Sequence, residues 1–148
     1  MRPGRFSTEG FLGPGEQLAE ILASDARTLA ELSVTPGTLS EQLGALLEPI
    51  VASRRSSGRV RQYRIRIRRY RGFQICPFTP NPDRGQCPLG SGARYGSIDW
   101  RIYNTRTRFE LAGPGLIVHL IGTHGFFEGR ESAYRVEPRA LAQLLELV

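Results

Sequence analysis

Apolar residues in the first third of the chain recur at helical spacing. Between residues 16 and 32 they predict helix, and Ser24-Asp25 predicts a break into two short helices because both residue types favour helix starts. Thr35-Pro36-Gly37-Thr38 marks another helix start. The apolar positions behind it fall on one face of an amphipathic helix: Leu39, Leu43, Leu46, Leu47, Ile50 and Val51.

Residues 28–43, TLAELSVTPGTLSEQL, place a turn at Val34 between two helices. This segment resembles the helix-turn-helix of bacterial repressors, and the resemblance implies a second helix that enters the major groove of DNA. That helix carries Glu41 and Glu48 and no arginine before Arg54, so it would repel phosphates. The alternative is a plain helical hairpin that packs on the rest of the protein.

The pattern changes to a period of two after residue 60. Tyr63, Ile65 and Ile67 alternate with arginines, which predicts a strand with one apolar face and one arginine face. Alternation returns over residues 97–102 and, after a turn at Asn104-Thr105, over residues 109–111. These segments predict a small antiparallel sheet of three to four strands.

Two segments interrupt the regular pattern. Residues 53–58, SRRSSG, have the composition of a polar linker and predict a boundary between a helical N-terminal region, residues 1–53, and a basic α+β domain, residues 54–148. Residues 76–92 are rich in proline and glycine, which disfavours regular structure. A loop of that length in a compact domain is usually functional, disordered or held in place by a ligand.

The C-terminal third predicts two helices. An apolar run from residue 116 to about residue 123 follows the Gly113-Pro114-Gly115 break and ends before Gly125, as a buried helix would. Pro138 begins a short amphipathic helix. The predicted fold is therefore α+β, with an N-terminal helical hairpin, the antiparallel sheet and two C-terminal helices.

Charge separates the two regions. All 20 basic residues are arginine, a usage typical of a GC-rich bacterial genome, so arginine content alone indicates no function. Residues 1–50 hold three arginines against seven acids, whereas the remainder holds seventeen against seven. The acidic helices could dock a protein partner, and the basic body could bind nucleic acid, an acidic protein or the acidic helices themselves.

The arginines of the predicted strand and its flanks have no acid between them. Alternate residues of a strand lie about 6.6 Å apart on one face, so Arg64, Arg66 and Arg68 form a row comparable in pitch to a phosphate backbone. We predict nucleic-acid binding through Arg61, Arg64, Arg66, Arg68, Arg69 and Arg71. The alternatives are cross-strand ion pairs with Asp99 and Glu110, or a protein-interaction module without metal or nucleic acid.

The chain has two cysteines and two histidines, spaced as Cys76-x10-Cys87 and His119-x4-His124. Zinc takes four such ligands in tetrahedral sites, so the sequence predicts a Cys2His2 zinc site. The cysteine spacing is wider than in a zinc finger. Helical residues five apart point about 140° from one another, so the helix must loosen near Gly122 or end there.

Other interpretations of these residues stay open. His119 could be a core histidine, His124 a cationic cap on its helix, and the cysteines small buried apolar groups. A cysteine and a histidine could also form a nucleophile and base. Glu128 and Glu131 could support a metal-bound histidine.

No established catalytic signature occurs in the chain. A glycine-rich phosphate loop, an HExxH helix and a nucleophile elbow are all missing from the sequence, which favours a binding module over an enzyme. No apolar run reaches the length of a membrane span or resembles the core of a signal peptide. We therefore expect a cytoplasmic protein that makes no membrane contact.

Overall fold

The computed structural model describes residues 11–72, 74, 76–78 and 95–148. These residues form an α+β fold in which the strands build one antiparallel sheet of order β1-β2-β3-β4. The predicted fold class, sheet and C-terminal helices are confirmed. In chain order the elements are α1 (Leu18–Leu32), α2 (Pro36–Ala52), β1 (Ser57–Val60), β2 (Tyr63–Arg69), β3 (Ile98–Asn104), β4 (Phe109–Pro114), α3 (Ile117–His124) and α4 (Pro138–Leu144).

Helix α1 is continuous, so the predicted break at Ser24-Asp25 is wrong. Asp25 is buried, and its carboxylate oxygen Oδ1 lies 2.7 Å from Nη2 of Arg135, far along the chain. Asp25, which suggested a helix start, instead makes a tertiary ion pair with Arg135 from the middle of the helix. Helix α2 does begin where predicted, because Oγ1 of Thr35 accepts a hydrogen bond from the backbone N–H of Thr38 at 3.1 Å.

Helix α2 packs against α3 and the sheet. Its apolar face is buried as predicted, and the Ser40 hydroxyl donates to the Val118 carbonyl at 2.7 Å. Gly122 permits this close packing, because a Cβ at that position would lie 2.5 Å from Oγ of Ser40. With its apolar face buried and no arginine on its exposed positions, α2 fits the helical hairpin better than a DNA-reading helix.

The sheet has one buried and one solvent-facing side. Residues Tyr63, Ile65 and Ile67 of β2 are buried, whereas the arginines between them are exposed, as the alternation predicted. Strand β1 begins at Ser57, inside the segment predicted as a linker. Its sequence, SGRV, is too short and too polar to show a strand pattern.

One hydrophobic core extends through the helices and the inner side of the sheet. It contains Leu43 and Leu47 of α2, Ile65 of β2, Trp100 of β3 and Phe127 after α3, so buried residues lie on both sides of position 53. Among the described residues no helix is both long enough and apolar enough to cross a membrane.

Candidate metal centre and arginine face

Three of the four predicted metal ligands meet in the structure. One ligand atom from each of Cys76, His119 and His124 lies within 4.8 Å of the other two. Sγ of Cys76 lies 3.4 Å from Nε2 of His124. The fourth predicted ligand, Cys87, lies outside the described residues.

Helix α3 brings the two histidine rings together by ending at the second one. The helix runs unbroken through Gly122 to His124, and Gly125 follows in the left-handed conformation with φ 61°. The ring centroids of His119 and His124 are 5.1 Å apart, with the rings nearly perpendicular. Nδ1 of His119 lies 3.2 Å from the Thr123 hydroxyl, so metal coordination by this ring would use Nε2.

One aromatic side chain covers the centre and a second supports it from behind. Phe78 stacks on His124 with a centroid distance of 4.0 Å and an interplanar angle of 11°, and its ring meets Phe126 edge-on at 5.5 Å. Cys76 is fully buried and His119 is 8% exposed. The sequence does not predict the stacking of Phe78 on His124, and only its position two residues after Cys76 places it near the candidate ligands.

Burial keeps the histidines neutral. Burial lowers the pKa of His119, and burial together with the neighbouring His119 ring lowers the pKa of His124 to about 4. A neutral imidazole is the form that binds metal. It would not provide the positive charge of a helix C-cap, so the capping interpretation of His124 loses its physical basis.

The spacing of the cluster fits a tetrahedral metal. Zinc binds sulfur at about 2.3 Å and histidine nitrogen at about 2.0–2.1 Å, which places the two ligand atoms about 3.6 Å apart. The observed 3.4 Å between Cys76 and His124 agrees, and the upper bound of 4.8 Å for the cluster requires the ligand atoms to approach one another by about 1.5 Å at most. The full burial of Cys76 also disfavours its use as a nucleophile.

Glu128 does not join this centre. Its carboxylate accepts a hydrogen bond from the Ser132 hydroxyl at 3.0 Å, and the group of three metal-ligating side chains does not include it. Glu131 is exposed. The contact that orients His119 comes from Thr123, on the same helix face one turn later.

Arginines dominate the solvent-facing side of the sheet, which we call the arginine face. It consists of five arginines and two acids, together with small and aromatic residues. Arg59 lies directly opposite Arg64 across the β1–β2 pair, and Arg66 lies directly opposite Arg101 across the β2–β3 pair. The charged members are Arg59, Arg64, Arg66, Arg68, Arg101, Asp99 and Glu110.

The predicted nucleic-acid-binding arginines occupy different places. Arg64, Arg66 and Arg68 lie on the arginine face and are exposed. Arg61 lies in the β1–β2 turn with its guanidinium 5.9 Å from the Tyr63 ring centroid. Arg71 is exposed beyond the end of β2.

Arg69 faces the helices instead. Its Nη1 donates to the Arg55 carbonyl at 2.6 Å, and its Nη2 approaches the carbonyls of Ile50 and Val51 at 3.4 Å. Arg101 takes a place on the arginine face that the prediction did not assign. Arg101 lies between the apolar residues Trp100 and Ile102 of β3, and this alternation indicates that its side chain lies on the solvent-facing side of the sheet.

Two neighbouring clefts lie on the arginine face, and Arg66 and Arg101 line both. The larger, of about 510 Å³, also contains Arg68, Asp99 and the side of Tyr134. The smaller, of about 250 Å³, contains Arg64, Tyr103 and Glu110. Tyr134 comes from the segment before α4, and no pattern in the sequence predicted that it would border the sheet.

Cross-strand ion pairs neutralise this face only in part. Nη1 of Arg101 lies 3.7 Å from Oε1 of Glu110, with both side chains about half exposed. Asp99 lies opposite Arg68 in the strand register, yet the described contacts include no ion pair between them. The compensation predicted as an alternative to nucleic-acid binding is therefore incomplete within the described residues.

The chain matches no protein-family model, no curated protein and no solved structure at a significant level.

Proposed function

We propose that the protein is a zinc-stabilised module that binds nucleic-acid phosphates through its arginine face. One observation carries this proposal: arginine lies directly opposite arginine in two cross-strand pairs on a sheet face open to solvent. Like charges in that position destabilise a sheet. Nucleic-acid phosphates would remove the repulsion, and each guanidinium could hold a phosphate with two hydrogen bonds.

The flat arrangement suits a phosphate backbone. Arg64, Arg66 and Arg68 follow β2 at about 6.6–6.8 Å intervals, and Arg101 lies one strand away at about 4.8 Å. Contacts of this kind position a nucleic acid without reading its sequence. The binding should therefore weaken steeply as salt concentration rises.

The first test replaces two arginines of this face. We expect Arg66→Gln/Arg68→Gln to weaken binding of a fluorescent nine-nucleotide single strand by at least tenfold at low salt. The slope of log affinity against log salt should fall by about one to two. Fluorescence anisotropy at several salt concentrations measures both quantities.

The matched control is Arg27→Gln/Arg139→Gln, which removes the same charge from exposed sites on α1 and α4. Equal weakening by both double variants would mean that net charge, and not the arginine face, binds the strand. No binding by the unmodified protein at low salt would refute the proposal. That result would favour an acidic protein partner for the same surface.

The metal part of the proposal concerns zinc at Cys76, His119 and His124, with Cys87 as the predicted fourth ligand. Support comes from the convergence of a thiol and two neutral imidazoles that one aromatic side chain covers. Bound zinc would supply structural stabilisation by joining the segment after β2 to α3.

The second test is metal analysis of the purified protein. We expect about one zinc per chain, and less than about a tenth of that in Cys76→Ser. Because this variant could unfold, Co²⁺ titration of the unmodified protein gives an independent readout, since a thiolate ligand produces intense absorption in the near ultraviolet. A metal-free protein that folds stably and shows no such absorption would refute the site. The variant Glu131→Gln serves as the control with unchanged metal content.

A further inference from the structure

The larger cleft on the arginine face contains a carboxylate that phosphate binding does not explain. Asp99 lies beside Arg66, Arg68 and Arg101, where a negative charge weakens the attraction for phosphates. Burial raises the pKa of Asp99 even though the nearby Arg68 lowers it. Among the described contacts its carboxylate has no hydrogen bond or ion pair, so both oxygens can accept hydrogen bonds from a ligand.

An aromatic side chain borders the same cleft. Tyr134 is 46% exposed, a large exposed fraction for an aromatic ring, and it reaches the sheet from the segment before α4. Exposed aromatic rings on a basic surface stack nucleic-acid bases, and each stacked base contributes about 1–3 kcal/mol. The cleft thus combines a stacking surface, hydrogen-bond acceptors and phosphate-binding guanidinium groups.

We propose that this cleft binds one nucleotide of a single-stranded nucleic acid and prefers guanine. The base would stack on Tyr134, its N1–H and N2–H groups would donate to the Asp99 carboxylate, and Arg66 and Arg68 would hold the adjoining phosphates. This inference rests on the proposed function and names the specificity of the same surface.

Guanine fits the acceptor better than the other bases. Its Watson–Crick edge carries two adjacent N–H donors, which match the two oxygens of a carboxylate, whereas adenine, cytosine and uracil place an acceptor beside their donor. The cleft volume of about 510 Å³ lies within the range of small-ligand sites. The strand must be single, because a duplex uses that edge of the base for pairing.

The experiment compares nine-nucleotide strands that differ only at the centre. A strand of eight uridines with central guanosine is compared with strands whose centre is uridine, adenosine or cytidine, and with the matching DNA set. We expect the unmodified protein to bind the guanine strand about tenfold more tightly, since a good bidentate contact discriminates by about 1–3 kcal/mol. Fluorescence anisotropy at fixed low salt measures each affinity.

Two variants separate base recognition from charge. Asp99→Asn and Glu110→Gln each remove one negative charge from the arginine face, so both should bind the strands without guanine somewhat more tightly. The guanine strand should gain affinity in Glu110→Gln alone, because Asp99→Asn also loses the paired acceptors for the base. Only Asp99→Asn should lose the preference for guanine. Tyr134→Ala should weaken binding of the guanine strand more than that of the all-uridine strand.

The outcomes are distinguishable. Equal affinity of the unmodified protein for all strands would overturn the guanine inference and leave phosphate binding intact. A guanine preference that persists in Asp99→Asn would overturn the role of Asp99. Absence of binding to every strand would overturn the proposed function, and the inference with it.

Discussion

At the scale of single residues, Glu128 is a buried carboxyl group in an unusual environment. It is 1% exposed and adopts a left-handed backbone conformation, with φ 70°. Its Oε1 accepts a hydrogen bond from Ser132, while its buried Oε2 has no hydrogen-bond partner among the described residues. Burial raises the pKa of Glu128 to about 8, although Ser132 and Arg135 lower it.

This pKa predicts a pH-dependent stability. The folded pKa of about 8 exceeds the ordinary value of 4.5, so the folded state binds this proton more tightly. The contribution is fully present below pH 4.5 and is lost as the pH rises through about 8. The loss is at most about 5 kcal/mol. We expect Glu128→Gln to unfold at a higher urea concentration than the unmodified protein at pH 8.5, and to lose that advantage at pH 5.

Urea titrations at pH 5, 6.5 and 8.5 measure the difference. Glu131→Gln, an exposed glutamate three residues away, is the control and should follow the unmodified protein at each pH. A constant stability difference between Glu128→Gln and the unmodified protein across this range would contradict the raised pKa.

Residue types allowed the convergence of Cys76, His119 and His124 to be predicted, since cysteine and histidine are scarce in this chain and chemically distinctive. They did not reveal Phe78 or Tyr134, because aromatic residues occur in every core. Only the fold brings Phe78 onto His124, and only the segment before α4 brings Tyr134 to the sheet. Such contacts depend on tertiary structure that a linear pattern does not encode.

At the scale of elements, two adjacent arginines at the end of β2 lie on opposite sides of the sheet. Arg68 is exposed on the arginine face, whereas Arg69 donates hydrogen bonds to carbonyls at and just beyond the end of α2. Cationic donors stabilise a helix C-terminus, where carbonyl groups lack partners within the helix. Arg68 thus belongs to the arginine face, whereas Arg69 stabilises the packing of β2 against the end of α2.

We expect Arg69→Ala to lower the free energy of unfolding by about 1 kcal/mol, because it removes these hydrogen bonds. Its affinity for a nucleic-acid strand should stay within twofold of the unmodified protein. Arg68→Ala is the matched variant. We expect its stability to be nearly unchanged and its affinity for the strand to fall several-fold. Urea titration and anisotropy on both variants measure the two effects, and equal losses of affinity would contradict this division.

The pattern of the chain predicted most elements well. Helix α2 and strand β2 repeat their apolar residues cleanly, because each buries one face against the same core. The pattern failed where a tertiary contact determined the residue, as at Asp25 in α1, and where an element is short, as in β1. Asp25 depends on its contact with Arg135, and β1 depends on its pairing with β2, so neither can be recognised from its own local sequence.

At the scale of the whole molecule, a buried ion pair joins the first helix to the segment before the last one. Arg135 donates two hydrogen bonds to the Asp25 carboxylate, at 2.7 and 3.0 Å, and a third to the Glu128 carbonyl at 2.6 Å. The side chains of Asp25 and Arg135 are 4% and 6% exposed. Water therefore cannot replace either partner at low cost.

Removing one partner should be strongly destabilising. We expect Asp25→Ala to lower the free energy of unfolding by about 3 kcal/mol, because the buried Arg135 would lose its buried carboxylate partner and keep Glu137 at 2.7 Å, whose side chain is 60% exposed. Asp25→Leu/Arg135→Met should recover part of that loss. Thermal and urea unfolding measure both variants.

The control is the pair Glu31 and Arg139, which also connects α1 with the C-terminal part but lies 3.9 Å apart with both side chains exposed. Glu31→Ala should change stability by about 0.5 kcal/mol or less. A similar small effect of Asp25→Ala would show that the buried pair does not stabilise the fold.

The strand order also has a consequence for how the fold assembles. The turns at residues 61–62 and 105–108 join β1 to β2 and β3 to β4, whereas residues 70–97 separate β2 from β3. Closing that 28-residue connection costs about 1.7 kcal/mol more chain entropy than closing the four-residue turn between β3 and β4. The sheet therefore consists of two local hairpins, β1–β2 and β3–β4, and their pairing through β2 and β3 has the larger entropic cost. The β2–β3 pairing also places Arg66 opposite Arg101, so the arginine face is complete only after these two hairpins have joined.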